Sequence, residues 1–176
     1  LGSTIGVSVD DQDHVWIIQR GGPTLNERTE MSAATTPPTA EPCCVPAPPV
    51  LEFDAAGNLL RHWGGTSGEG YTWPESNHGI TVDYKGNVWI GGNGQNDAHV
   101  IKFTKDGKFL IQYGRPGARR TSPAGTEKPT WAGNSNDTAS FGRVAKIFVD
   151  PKANEAYIAD GYLNKRVVVI DADTGT

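Results

Sequence analysis

Three polar side chains stand where their types could support chemistry: His78, Arg20 and Tyr162. An imidazole can bind a metal ion, a guanidinium can hold a carboxylate through two parallel hydrogen bonds, and a phenol can donate or accept a proton. Each also has a plain structural interpretation. A single histidine at a strand start is usually a hydrogen-bonding loop residue, an arginine at a loop entrance is usually an anchor, and a tyrosine after Asp-Gly usually packs. The elements that carry these residues therefore decide whether they can act together.

A repeated pattern of strands supplies those elements, because one sequence unit occurs three times along the chain. Each unit opens with an apolar run ending in Val-Asp, followed by a turn and a run that contains an aromatic residue. The opening runs are Ile5-Gly-Val-Ser-Val-Asp10, Gly79-Ile-Thr-Val-Asp83 and Lys146-Ile-Phe-Val-Asp150. A second hairpin follows, with first strands at residues 50–53, 99–103 and 166–171. The unit thus has four strands, A to D, and the third unit lacks its D strand.

Four-stranded antiparallel units repeated in this way predict an all-β fold, a β-propeller with about three blades in residues 1–176. The predicted bounds are about 5–63 for blade 1 with an inserted loop at 20–49, about 78–113 for blade 2, a loop at 114–140, and about 144–176 for blade 3. An open β-sandwich is the alternative, although sandwich strands do not repeat so regularly. Three blades cannot close a ring, so we expect the remaining blades of the same protein or a partner subunit to complete it.

The strand order also predicts where the loops lie. Successive strands run in opposite directions, so the B–C and D–A connections share one face of the propeller, and the tight A–B and C–D turns share the other. Both long loops fall on the first face, which we expect to carry the function. His78 opens an A strand, Arg20 follows a B strand and Tyr162 lies in a B–C loop. All three are therefore expected on this one face.

The composition limits the classes of function. Lys and Arg total 16 against 20 Asp and Glu, a net charge of −4 that offers no footprint for a nucleic acid. No apolar stretch reaches the roughly 18 residues of a membrane span, and no signal peptide is visible. Cys43 and Cys44 are adjacent, which disfavours a bridge between them. They are either two ordinary thiols or a link outside this chain, and the opening Leu1 suggests part of a longer protein.

Two stretches resemble NHL repeats: residues 78–90, and residues 141–171 with the run Asp160-Gly-Tyr-Leu-Asn-Lys-Arg166. Within that class the chain resembles the peptidyl-α-hydroxyglycine α-amidating lyase family and its uncharacterised bacterial relatives. The resemblance covers nearly the whole chain except residues of about 24–48 and 115–135, and the Asp-Gly-Tyr-x-Asn-x-Arg run is its most specific part. It implies a six-bladed NHL-type propeller, of which this chain is half, and a periplasmic or extracellular protein.

The same resemblance implies a reaction and its residues. In that family a channel zinc held by three histidines, with a calcium nearby, serves to split peptidyl-α-hydroxyglycine into a peptide amide and glyoxylate. His78 matches a zinc ligand, and Ile80 matches a residue whose carbonyl binds the calcium. Arg20 matches an active-site arginine, and Tyr162 matches the tyrosine thought to act as the base. Zinc would polarise the substrate oxygens as a Lewis acid.

The chain also departs from the family. The other two zinc histidines and a second arginine belong to blades absent from these residues, and Leu163 stands where the family has a cysteine after Asp-Gly-Tyr. Two functions therefore stay open. We place first a propeller module that binds a ligand or a protein, or that assembles with other blades, because a fold does not fix a function. The alternative is a zinc-dependent lyase of the amidating type, with its site at the channel mouth.

Overall fold

The computed structural model describes residues 1–21 and 46–176, and this part of the chain contains strands and turns but no helix. Most of the loop predicted at 20–49, including Cys43 and Cys44, lies outside the described residues. The strands are β1 (Thr4–Val9), β2 (Val15–Gln19), β3 (Val50–Phe53), β4 (Leu59–Trp63), β5 (Asn77–Val82), β6 (Asn87–Gly92), β7 (His99–Thr104), β8 (Phe109–Gly114), β9 (Lys146–Asp150), β10 (Glu155–Asp160) and β11 (Arg166–Asp171).

These strands form three antiparallel sheets, each paired in the order of the sequence. The first sheet contains β1 to β4, the second β5 to β8, and the third β9 to β11 without a fourth strand. The prediction of an all-β partial propeller with about three blades is confirmed, and the sheets are called blades 1, 2 and 3 below. No described helix is long and apolar enough to cross a membrane.

An aspartate at the end of the first strand fixes the first turn of blade 2. The carboxylate of Asp83 accepts backbone N–H groups from Lys85 and Asn87 at 2.9 and 2.8 Å, and the indole Nε1–H of Trp89 at 2.8 Å. Blade 1 repeats the arrangement, with Trp16 Nε1 donating to Asp10 at 3.0 Å. In blades 1 and 2 the Val-Asp and aromatic positions of the repeat therefore form one hydrogen-bonded unit that sets the register of strands A and B.

The first strands of the blades lie side by side around the channel. The Ser8 hydroxyl in β1 accepts the Val82 N–H of β5 at 3.0 Å, and Thr81 of β5 donates to the Ile147 carbonyl of β9. Glycine permits this close approach, because a Cβ on Gly79 would lie 2.8 Å from the Ala145 carbonyl oxygen. The innermost strands thus contact one another through backbone and short side chains.

Apolar side chains fill the spaces between neighbouring blades. The core between blades 1 and 2 contains Trp16, Ile18, Val50, Trp73, Ile80, Val88, Ile90, Ile101 and Phe103. The core between blades 2 and 3 contains Trp89, Val100, Tyr113, Phe141, Val144, Ile147, Val149, Ala156, Ile158 and Ala172. Blade 2 is therefore apolar on both faces, as a sheet held between two others must be.

The outward faces of the two terminal blades are also apolar, but they are exposed. We call the outward side of blade 1 the first end face; it presents Val7, Val9 and Leu60. The outward side of blade 3, the last end face, presents Phe148, Tyr157, Val167 and Val169. Both patches use positions that are buried where blades meet each other inside the chain.

One position shows this equivalence directly. In each blade, one valine of strand C pairs with the residue two places after the aromatic residue of strand B. These valines are Val50, Val100 and Val167. Val50 and Val100 are 0% exposed between blades, whereas Val167 is 64% exposed on the last end face. The third blade therefore exposes a position that is buried between sheets in the other two blades.

We expect Val100→Ala to lower the free energy of unfolding by about 2 kcal/mol, since two buried methyl groups are lost and a cavity remains. Val167→Ala makes the same chemical change at a position that is exposed in the single chain, and at a dilution that keeps the chain monomeric we expect its effect to stay within about 0.5 kcal/mol. Urea titration of both variants checks the difference. Equal losses would show that the last end face is covered in solution.

Candidate functional site

The loops that join blades, and those that join strands B and C, meet on one face around the end of the channel. We call this region the channel mouth. The end of β2, the start of β5 and the loops after β6 and β10 all contribute to it, as shown by contacts among Arg20, Asn93, His78 and Tyr162. The structure thus places His78, Arg20 and Tyr162 on one face.

Two of these residues touch. The Tyr162 hydroxyl lies 2.8 Å from His78 Nε2, and the rings pack edge to face with centroids 5.4 Å apart. His78 Nδ1 lies 2.9 Å from the Ala145 carbonyl oxygen, which can only accept, so Nδ1 carries the proton. In the neutral ring Nε2 is then the acceptor for the phenol. Blade 2 supplies the imidazole and blade 3 supplies both of its partners.

A buried network holds the loop that carries Tyr162. The Asp160 carboxylate accepts hydrogen bonds from Asn164 Nδ2 at 2.7 Å, Arg166 Nε at 2.9 Å and the Gly142 N–H. Asp160 and Asn164 are fully buried, so this charge is paired and hydrogen-bonded as burial requires. In the Asp-Gly-Tyr-x-Asn-x-Arg run, the Asn and Arg therefore both bind the Asp and fix the loop that carries Tyr162. We call the three residues Asp160, Asn164 and Arg166 the Asp160 clamp, and the loop between β10 and β11 the tyrosine loop.

The same arginine ties the second long loop to this clamp. Arg166 donates to the carbonyl oxygens of Ser135 and Ser140 at 2.9 Å each. Asn164 accepts the Asn134 N–H at 2.7 Å, and its carbonyl accepts the Ser135 hydroxyl. The loop of residues 114–140 is thus fastened above the tyrosine loop.

Arg20 acts on the other side of His78, through its neighbour Asn77. Arg20 Nε donates to the Asn77 carbonyl at 3.2 Å, and its Nη2 donates to Asn93 Oδ1 at 3.1 Å. The Asn77 amide also donates to the Gln19 carbonyl and accepts the indole N–H of Trp73, each at 2.8 Å. The guanidinium therefore anchors the backbone that leads into His78, and its described hydrogen bonds do not reach His78 or Tyr162.

Arg20 also lines a cleft of about 250 Å³ beside this anchor. Its walls combine Pro49, Trp73 and Pro74 with the carboxylate-bearing Glu75. A small ligand with apolar and polar parts would find both kinds of contact here.

Sequence reasoning missed Asp97, which organises the loops of blade 2. Its buried carboxylate accepts three backbone N–H groups, from Glu75 at 2.8 Å, Ser76 at 3.1 Å and Gly94 at 2.7 Å. Burial raises the pKa of Asp97 above its ordinary value. A Cβ on Gly92 would lie 2.4 Å from this carboxylate, so Asp97 fills the space left by glycine. The sequence signal for this role is the last position of strand B, where blades 1 and 3 carry the polar residues Gln19 and Asp160 and blade 2 carries Gly92. A polar group from elsewhere was therefore to be expected beside Gly92.

His78 fits one ligand of a zinc ion. A histidine that binds zinc usually donates its other ring N–H to a carbonyl or carboxylate, as His78 does to Ala145. A catalytic zinc takes three protein ligands, and the described residues offer only this histidine at the mouth. Among those residues, one set of three potential ligands lies close together, Asp10, His14 and Glu52. That set is in the A–B turn and C strand of blade 1, and its atoms already bind each other, Trp16 and Arg61.

The carbonyl of Ile80 does not fit a calcium ion in the same way. Its oxygen accepts a hydrogen bond from the ammonium of Lys146 at 3.1 Å. A calcium ion binds oxygen at about 2.3–2.6 Å and would stand beside this positive charge. The side chain of Lys146 therefore opposes the ligand role that the resemblance implies for Ile80.

No protein-family model and no curated protein sequence matches the chain. Similar solved structures include a gluconolactonase from Xanthomonas campestris, with a TM-score of 0.45 and 13% identity over 92% of this chain and 36% of that one. A catalytically inactive virginiamycin B lyase from Staphylococcus aureus with quinupristin has a TM-score of 0.41 and 14% identity, covering 98% and 57%. A streptogramin B lyase has a TM-score of 0.41 and 12% identity, covering 96% and 54%. The chain thus spans between 36% and 57% of the length of these three proteins, and matches this distant carry no argument about its site.

We expect the stability of the chain to fall as the pH drops below about 6.5, with His99 as one cause. Burial lowers the pKa of His99, whose Nε2 donates to the Thr72 carbonyl at 2.8 Å while its Nδ1 is buried without a partner. The unfolded chain then binds a proton that the folded chain refuses, so acid favours unfolding. In His99→Gln, which cannot take up this proton, urea midpoints at pH 7 and pH 5 should differ less than in wild type. An equal pH dependence in both would contradict this assignment.

Proposed function

We propose that this chain is the three-blade part of a β-propeller that assembles with further blades through its two end faces and binds a ligand or a protein at the channel mouth. The observation that carries the proposal is the exposure of inter-blade positions on the end faces. Phe148 and Val167 are 59% and 64% exposed, although their sheet has a well-packed core on its other side. Contiguous exposed apolar surface of this kind usually marks an interaction site.

The free edge of blade 3 supports the same proposal. Blades 1 and 2 each end in a fourth strand that carries an aromatic residue opposite the valine of strand C, Trp63 in one and Tyr113 in the other. The described residues contain no such strand beside β11. An unpaired strand edge is a template for pairing with another segment.

A zinc-dependent lyase of the amidating type is the second candidate function. The specific observation in its favour is the 2.8 Å contact between Tyr162 and His78, which the family resemblance had assigned to a base and a zinc ligand. In a completed ring His78 would hold the zinc through Nε2 together with histidines from other blades, in place of the hydrogen bond that Nε2 accepts from the Tyr162 hydroxyl. The metal would supply Lewis-acid polarisation of the substrate oxygens.

The chain's own residues would have distinct tasks in that reaction. The Ala145 carbonyl keeps the proton on Nδ1 of His78, so that Nε2 faces the mouth. The Tyr162 hydroxyl is placed by the Asp160 clamp to exchange a proton beside it. Arg20 holds the Asn77 backbone in position and, by its present contacts, acts on the geometry of His78.

We expect the isolated chain to self-associate, since its end faces would otherwise stay in water. Val167→Lys places a charge on the last end face and should lower the weight-average mass in sedimentation equilibrium toward the 18.8 kDa of one chain. Leu110→Lys is the matched control, because Leu110 is exposed on the outermost strand of the middle blade. A wild-type chain that is already a stable, monodisperse monomer would contradict the assembly proposal.

For the lyase, we expect His78→Ala to lower the bound zinc of the completed assembly at least tenfold, measured by elemental analysis, because loss of one of three ligands leaves an incomplete site. Tyr162→Phe should keep the zinc and lose glyoxylate release from a peptidyl-α-hydroxyglycine. Lys152→Ala, a change at an exposed lysine in the A–B turn of blade 3, controls for general effects of side-chain truncation. Zinc content that is unchanged in His78→Ala would rule out the lyase assignment while leaving the assembly proposal intact.

A further inference from the structure

We infer that the ammonium of Lys146 occupies the place of a divalent cation at the channel carbonyl of Ile80, so that β5 and β9 are held together at the mouth without calcium. The two residues lie on neighbouring channel strands, in blades 3 and 2. Lys146 Nζ donates to the Ile80 carbonyl oxygen at 3.1 Å. The contact is a hydrogen bond from a charged donor, which is stronger than one between neutral groups.

The repeat shows that this lysine is a departure from the other blades. Four residues before the aspartate that ends each A strand stand Gly6, Gly79 and Lys146. The two glycines let the next strand approach, since a Cβ on Gly6 would lie 3.2 Å from the Ile80 nitrogen and one on Gly79 would lie 2.8 Å from the Ala145 oxygen. Only blade 3 carries a side chain there, and it is long enough to reach the neighbouring strand β5.

The surroundings of the ammonium agree with a role as a fixed cation. Among the described residues Lys146 has no carboxylate within ion-pair distance, and its hydrogen bond goes to the Ile80 carbonyl. Lys146 as a residue is exposed, and partial burial of its ammonium lowers its pKa. A carbonyl oxygen bound to an ammonium has lost the negative potential that attracts calcium, and the added charge repels the ion.

The contact also connects to the candidate site through adjacent residues. The carbonyl that fixes His78 belongs to Ala145, the residue immediately before Lys146. Both contacts join blade 3 to β5, one from Ala145 just before β9 to His78 and one from Lys146 of β9 to Ile80. Lys146 is therefore a positioning residue for the histidine, and this inference stands whether the mouth belongs to a binding module or to a lyase.

Thermal unfolding of the full chain with millimolar calcium chloride or with EGTA tests the inference. We expect the wild-type midpoint to be the same in both. Lys146→Met removes the ammonium and should lower the midpoint by about 2–4 °C, whereas Lys146→Arg keeps a cation and should stay close to wild type. Lys152→Met is the matched control, because Lys152 is an exposed lysine in the A–B turn of the same blade.

Two results would overturn the inference. A wild-type midpoint that rises with calcium, together with saturable terbium luminescence that competes with calcium, would show that the ion binds despite the lysine. A Lys146→Met midpoint equal to that of Lys152→Met would show that the ammonium does not hold the strands. Loss of stability in Lys146→Met with rescue by Lys146→Arg, and no response to calcium in wild type, supports it.

Discussion

Packing of one sheet against the next is the constraint on which the rest of this structure depends. Each blade is a meander whose strands pair with neighbours in sequence, so the ladder of backbone hydrogen bonds between strands lies within one sheet. The two faces of that sheet need to be covered by other sheets, because apolar side chains point to both sides. The two cores between blades bury Trp16 and Trp89 completely and fix how far the blades stand apart. The contacts between blades at the channel mouth join elements that these cores have already positioned.

The mouth itself depends on a buried polar anchor in each blade. Gln19 and Asp160 occupy the last position of strand B in blades 1 and 3, and in blade 2 the Asp97 carboxylate enters the space above Gly92. Each anchor receives several N–H donors from the loops around it. Long irregular loops can then be held in one arrangement, because their backbone groups find partners that are part of the sheet. The side chains of His78 and Tyr162 gain their fixed geometry from this support.

The fold and two of the site residues, His78 and Tyr162, could be predicted from the sequence. The repeated Val-Asp, turn and aromatic pattern predicted the strands, and the alternation of strand direction placed His78 and Tyr162 on one face, where the structure joins them by a hydrogen bond. The partners of Arg20 could not be predicted, since Asn93 lies far away in sequence and nothing in its spacing marks it as an acceptor. The contact of Lys146 with Ile80 could not be predicted, because the repeat has glycine at the same position in blades 1 and 2. A side chain that reaches from one blade to the next also leaves no pattern in the local sequence.

The bond between His78 and Tyr162 has a thermodynamic consequence because its two members belong to different blades. A displacement of either blade by about 1 Å would take the two atoms out of hydrogen-bond range. A ligand that binds both His78 and Tyr162 must therefore favour one angle between blades 2 and 3. In the proposed assembly, the same angle would set the fit between the end faces and the blades that cover them. Binding and assembly are thermodynamically linked. If a ligand at the mouth raises the association constant for ring closure by a given factor, the closed ring binds that ligand more tightly by the same factor. Ligand binding at the mouth and the ring assembly that we propose would thus depend on the same angle between blades 2 and 3.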